Sequence, residues 1–295
     1  MGLAVLHAVA ALLVGAQPTL ADMTSRQKAA MVVVAPLPAP PGVGGVIVQP
    51  GTRTLPRPPG ALVVTDQEGG PTRVFPDLPP VRAAAAYTTE SQAYWAGRAT
   101  GLALRSAGVG VDLAPVLDSA DGPLGSRQFS RPSIGLAFER GLVAVGAGSC
   151  VKHFPGLGSA AVSTDDQFHV NAVLRLAEVA GFRAAIKVGV PCVMVNNAFY
   201  RKLGRRRASL EPTTYRLLRS LGFRGVTITD SLSIASPFPS DWPATAARAG
   251  ADLLLFTRAA DAERAIELLL PLARSGALDA HVARVLRFHA RYALR

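Results

Sequence analysis

Cysteine is nearly absent: the 295 residues include only Cys150 and Cys192. Each lies in a short apolar, strand-like run, so two small buried hydrophobic side chains are expected, with a disulfide between neighbouring strands as the alternative. No group of residues has metal-ligand spacing. Neither a Gly-x-Gly-x-x-Gly loop nor a Walker-type loop follows any apolar run, which argues against a nucleotide-binding fold. Acidic residues are the scarcer charge, 20 against 31 basic ones, for a net charge of +11. Such a balance draws a protein toward polyanions, including acidic cell-wall polymers and anionic membrane faces. The basic residues are nearly all arginine and are scattered, apart from Arg205-Arg206-Arg207. Without zinc-finger spacing or a basic stripe interleaved with aromatics, no nucleic-acid partner is expected, and the arginines read as solvated surface. There is no internal repeat and no low-complexity tail.

An apolar fraction of 49% allows a substantial core. Met1 to Ala16 is almost wholly apolar, and Val14-Gly15-Ala16 and Thr19-Leu20-Ala21 are candidate cleavage sites. Residues 1–21 therefore fit a signal peptide and a secreted or cell-envelope location, although no Lys or Arg precedes the run. An uncleaved anchor, or a buried first helix in a cytoplasmic protein, are the other readings. No later segment has the length and polarity pattern of a membrane span.

Residues 22–295 read as one domain of alternating strands and helices. Strands are expected at Gly45–Val48, Ala61–Thr65, Val109–Val116, Gly148–Val151, Cys192–Val195, Gly225–Ile228 and Asp252–Phe256. Helices are expected at Glu90–Ala107, Ile134–Val145, Ala172–Lys187, Pro212–Leu221, Ala244–Ala249, Asp261–Ser275 and Ala280–Leu294, with a short one from Thr24. Apolar runs separated by helices predict a parallel sheet buried on both faces. Their number favours an α/β fold of the (β/α) barrel type. No helix separates the first two expected strands, so the first β/α unit is expected to be shortened or irregular.

Polar residues gather where apolar runs stop, and parallel α/β folds place their chemistry there. Asp66 and Glu68 follow Ala61–Thr65, before Gly69-Gly70. Lys152 and His153 follow Gly148–Val151, and Asp230 follows Gly225–Thr229. Asp230 suits nucleophilic attack on an electrophilic carbon, or the capping of the next helix. Asp66 suits a grip on adjacent sugar hydroxyls, or a turn. Arg127 offers a rigid fork for hydroxyl or carboxylate groups, or a place on the surface. Together these groups point to a small polar ligand.

Four segments carry a family resemblance. They are Asp66-Gln67-Glu68-Gly69-Gly70, Asp112 to Asp118, Lys152-His153-Phe154-Pro155-Gly156 and Gly222 to Leu232. In this order they resemble the N-terminal catalytic domain of glycoside hydrolase family 3, and most of all its single-domain bacterial β-N-acetylhexosaminidases. The resemblance implies a TIM-like barrel and a retaining, exo-acting β-glycosidase with a carbohydrate substrate, such as cell-wall glycan. It implies Asp230 as nucleophile, and Asp66, Arg127, Lys152 and His153 as groups holding the sugar. No metal or organic cofactor is implied, and a monomer is expected. The chain departs from the family where the hexosaminidases carry Asp-Ser-His with the acid/base histidine. Here Ser163-Thr164-Asp165 stands there, which makes Asp165 the candidate acid/base if burial or Asp166 raises its pKa. His169 lies four residues further on. The family's Gly-His-Gly is Gly156-Leu157-Gly158, its Asp-Asp is Asp230-Ser231, and Val74 stands where an arginine is expected, one residue after Arg73. Two other readings remain: a catalytically impaired barrel that binds carbohydrate, and a lyase or aldolase using Lys152 as a Schiff base.

Overall fold

The computed structural model describes residues 19–294. Nearly all of the apolar leader lies outside the described residues. Among those described, no helix is long and apolar enough to cross a membrane.

Eight strands form the core: β1 (Val33–Pro36), β2 (Gly45–Val48), β3 (Val63–Thr65), β4 (Val111–Asp112), β5 (Gly148–Phe154), β6 (Cys192–Val195), β7 (Val226–Thr229) and β8 (Leu254–Leu255). Every neighbouring pair is parallel, and the spatial order follows the chain order from β1 to β7, with β8 beside β1. A parallel bridge between Ile228 and Leu253 joins β7 to β8 and closes the ring. The strands are buried throughout. Burial on both faces explains why they read as continuous apolar runs with no polar alternation. β7 is Val-Thr-Ile-Thr, four β-branched residues that suit a pleated, crowded surface.

The helices α2 (Glu90–Ser106), α3 (Pro132–Ala144), α4 (Leu176–Lys187), α5 (Pro212–Ser220) and α6 (Trp242–Ala249) each follow one strand, from β3 to β7. α7 (Ala259–Arg274) and α8 (Asp279–Tyr292) follow β8, and α1 (Ser25–Met31) precedes β1. Thr24 and Gln27 form a reciprocal capping box at the start of α1.

The barrel is irregular where expected, and more so. No α-helix separates β2 from β3, and none separates β1 from β2. The sequence reading passed over β1, because Val33–Pro36 continues an apolar stretch from Ala29 with no turn residue to mark its start. α4 also starts at Leu176 rather than Ala172; Asn171–Ala172 instead pairs with Phe199–Tyr200 as a small ladder above the barrel.

One expectation is overturned. Cys150 and Cys192 form a disulfide, with Cα atoms 4.4 Å apart. They are direct partners in the β5–β6 register, a fact no single strand reveals.

At the amino-terminal end of the barrel, buried Asp252 is encircled. It accepts hydrogen bonds from Arg219, Arg284, His281 and the Thr227 amide at 2.7–3.0 Å. This network ties α5, α8 and β7 to the start of β8, leaving the opposite end for chemistry.

Candidate active site

A cavity of about 300 Å³ opens at the carboxyl ends of the strands. Asp66, Arg127, Lys152, His153, Asp165 and Asp230 all line it, so the fold brings all six sequence-predicted residues together. Ile47 of β2, Met194 of β6 and Leu255 of β8 supply its apolar wall. A parallel barrel ends all its strands on one face, so residues far apart in sequence converge there.

Glu68 organises the floor. Its Oε1 accepts from Lys152 Nζ at 2.6 Å and from Arg127 Nη2 at 2.8 Å. Its Oε2 accepts from Arg127 Nε at 2.7 Å, which completes a bidentate fork. Burial disfavours the Glu68 carboxylate, but Lys152 and Arg127 outweigh that effect and hold its pKa down at about 2. Lys152 Nζ also donates to Asp66 Oδ1 at 2.6 Å. Burial works against the Lys152 ammonium, yet Asp66 and Glu68 raise its pKa above the ordinary value. A Schiff-base lysine needs the opposite shift, so this pairing removes the lyase or aldolase reading. Asp66 and Glu68 are two residues apart in an extended segment, so both face the lysine. That spacing was the available signal for Glu68. The turn between Gln67–Gly69 and Thr72–Arg73 requires its glycines: Gly69 has φ +104° and Gly70 φ +57°, and a Cβ on Gly69 would lie 2.2 Å from the Arg82 carbonyl. Arg73 spends its donors on the Gly70 and Pro76 carbonyls, and Val74 is buried.

His153 is fixed by Asp118, another residue whose role the sequence reading missed. Asp118 Oδ2 lies 2.7 Å from His153 Nδ1 and accepts from the His153 amide at 3.1 Å, while Oδ1 accepts from the Leu157 amide at 2.7 Å. This leaves Nε2 as the nitrogen free to face a ligand. Leu157 itself is 1% exposed, so the chain fills with an apolar side chain the position where the family has a histidine. Gly156 is at φ +121°, and any Cβ there would press into Glu178.

Asp230 ends β7, partly buried. Its Oδ1 accepts from the Ser231 amide at 2.7 Å, and its Oδ2 meets Thr164 Oγ1 at 3.4 Å. The cap of the short helix at Leu232–Ile234 is Ser231 and not Asp230, so the carboxylate remains directed at the cavity. Burial raises the Asp230 pKa, and nearby Asp165 adds to the rise. Asp165 is 68% exposed at its side chain, with Arg127 Nη1 at 3.7 Å. The burial expected of Asp165 is therefore missing, although the two residues before it, Ser163 and Thr164, are buried. His169 stacks on Phe199, with ring centres 4.3 Å apart, and lies outside the cavity lining.

The sequence profile described as "Glycosyl hydrolase family 3 N terminal domain" matches residues 52–288. The chain belongs to glycosyl hydrolase family 3. A beta-hexosaminidase of Stenotrophomonas maltophilia is 33% identical to it over 209 residues, which are 61% of this chain and 60% of that protein. An uncharacterized secreted glycosyl hydrolase of Arthroderma benhamiae is 34% identical over 220 residues, 66% of this chain and 62% of that protein. The family 3 chain thus spans about 60% of the length of the curated relatives it matches. A solved structure, a glycosyl hydrolase of family 3 from Mycobacterium smegmatis, superposes with a TM-score of 0.79 at 26% identity, covering 94% of this chain and 100% of that one.

Proposed function

We propose that the protein is a retaining exo-β-glycosidase of the β-N-acetylhexosaminidase type. The observation that carries this reading is the convergence of Asp230 with Asp66, Arg127, Lys152 and His153 around one cavity of about 300 Å³, enough for a single sugar ring. The beta-hexosaminidase relatives support it.

In this reading Asp66 and the cations held by Glu68 bind the sugar hydroxyls. An Asp230 oxygen attacks the anomeric carbon as the bond to the leaving oxygen breaks, and that oxygen takes a proton from Asp165. Water then attacks the same carbon, gives its proton to Asp165 and releases Asp230. Ionised Asp230 is favoured as positive charge develops on the ring. The impaired-barrel alternative is not favoured, because the proposed nucleophile and its supporting ion network are complete.

Incubation with 5-fluoro-N-acetyl-β-glucosaminyl fluoride, followed by peptide mass mapping, tests the reading. A glycosyl adduct on Asp230 is the expected result. No adduct, together with no turnover of aryl β-N-acetylglucosaminides, would refute it.

The disulfide supports an oxidising compartment and hence export, as the apolar leader does. Intact mass of the native protein with and without reduction checks the pairing.

A further inference from the structure

A cavity of about 350 Å³ opens at the amino-terminal end of the barrel, opposite the catalytic mouth. It lies between the end of α4, residues 222–225 leading into β7, and α8. Its floor includes the buried rings of Phe223 and Phe288. Four arginines line it, Arg224, Arg284, Arg287 and Arg291, and no carboxylate does. Three of them come from α8, where spacings of three and seven residues put them on one helix face.

The positive charge gathered there is not matched. Arg224, Arg287 and Arg291 are exposed and form no ion pair among the described residues. Asp252, which Arg284 contacts, already serves Arg219 as well. Burial lowers the Arg219 pKa, and repulsion from Arg284 and Arg224 adds to the fall against the pull of Asp252. Scattered surface arginines are ordinary solvated charges, but these converge on one concavity and crowd one another.

The loop beside them is fixed. Arg219 Nη1 donates to the carbonyls of Phe223 at 3.3 Å and Gly225 at 2.9 Å. The amides of Phe223, Arg224 and Gly225 have no backbone acceptor among the described residues. Successive peptide N–H groups of this kind can join guanidinium groups in holding an oxyanion. Several guanidinium forks around one cavity suit a tetrahedral dianion better than a single carboxylate, which would leave most of the positive charge unmet. The volume also exceeds that of the catalytic cavity, so there is room for an organic group beside the anion.

We propose that this cavity binds a phosphate monoester, with Arg224, Arg287 and Arg291 on the phosphate oxygens and the organic group resting on Phe223 and Phe288. Arg284 stays with Asp252. The site stands apart from the glycosidase reading and does not rest on it. A ligand held there leaves the catalytic mouth open, because β7 lies between them: Val226 lines this cavity and Asp230 the other.

The test measures binding to the full chain directly. Calorimetry uses glycerol 3-phosphate, with methyl sulfate as a singly charged comparison. Flotation uses phosphatidylcholine vesicles with and without phosphatidic acid, which presents the same phosphate monoester on a lipid. The variant is the double substitution Arg287→Gln, Arg291→Gln, and Arg224→Gln probes the site from a different element. The control, Arg205→Gln with Arg206→Gln, removes the same charge from the loop that follows β6. Phosphate monoester binding should weaken at least about tenfold in the double variant, as the loss of two charged donors implies, and should weaken in Arg224→Gln. It should be unchanged in the control. Binding of glycerol 3-phosphate identifies a soluble source and binding of phosphatidic acid vesicles a lipid one; either, if lost in the double variant, supports the site. Binding of neither overturns the proposal. So does binding that survives in the double variant, equal affinity for methyl sulfate, or an equal loss in the control, which would mean attraction to overall charge alone.

Discussion

Replacing Glu68 with glutamine probes the ion network beneath the cavity. Glu68 carries three charge-assisted hydrogen bonds of 2.6–2.8 Å to two cations. In Glu68→Gln, one oxygen acceptor becomes an NH2 donor facing the Arg127 fork, and Lys152 keeps only Asp66 as its bonded carboxylate. Breaking a buried ion pair by removing one partner costs about 3–5 kcal/mol. Linkage gives a similar figure. A folded pKa of about 2 against a reference of 4.5 corresponds to roughly 3 kcal/mol at neutral pH. The folded pKa is depressed, so this stability is present above the unfolded pKa and is lost as pH falls from about 4.5 toward 2. Thermal unfolding at pH 7 should show the variant about 6–20 °C below wild type, at roughly 2–4 °C per kcal/mol. Chemical denaturation at pH 6, 4 and 3 should show the gap narrowing. A variant within about 0.5 kcal/mol of wild type at pH 7, the size of an ordinary surface substitution, would refute the reasoning. So would a gap independent of pH.

Removing the acid/base should separate substrates by leaving group. Asp165→Asn should lower kcat by about 10²–10⁴ on natural disaccharides and far less on a dinitrophenyl glycoside, which departs without a proton; equal losses would take the acid role from Asp165. The Asp230 pKa is raised in the fold, so its ionisation opposes stability as pH rises through that value. Asp230→Asn should therefore abolish turnover and raise the melting temperature at pH 7; a lower melting temperature would contradict the burial and Asp165 repulsion invoked here. In the wild type, the acid limb of kcat/KM should fall at a higher pH than for an ordinary carboxylate, as a pH–rate profile of the free enzyme would show. Asp118→Asn should reduce kcat/KM about tenfold, in the range seen when orienting partners are lost, because His153 loses the carboxylate at 2.7 Å that fixes its ring. An unchanged value would make Asp118 purely structural.

Much of the fold was legible because a strand buried on both faces leaves a continuous apolar run, and seven of the eight barrel strands announced themselves this way. β1 did not, since Ala29 to Ala35 is apolar across a helix end and a strand start alike. The cavity residues were legible by position: Asp66, Lys152, His153 and Asp230 each stand at or just beyond the end of an apolar run. Glu68 and Asp118 stood in the quoted segments without roles, because a supporting carboxylate differs from a reacting one only by what surrounds it.

Sequence alone determined where polar groups interrupt apolar strands, since that depends on local composition and on the two-residue period of an extended chain. Tertiary structure decided which of those groups meet. The pairing of β5 with β6 set Cys150 opposite Cys192, and closure of the ring set Glu68 between Lys152 and Arg127. It also left Asp165 in water while lifting the pKa of Asp230. Charge energies depend on distance and on access to water, and both are properties of the folded chain.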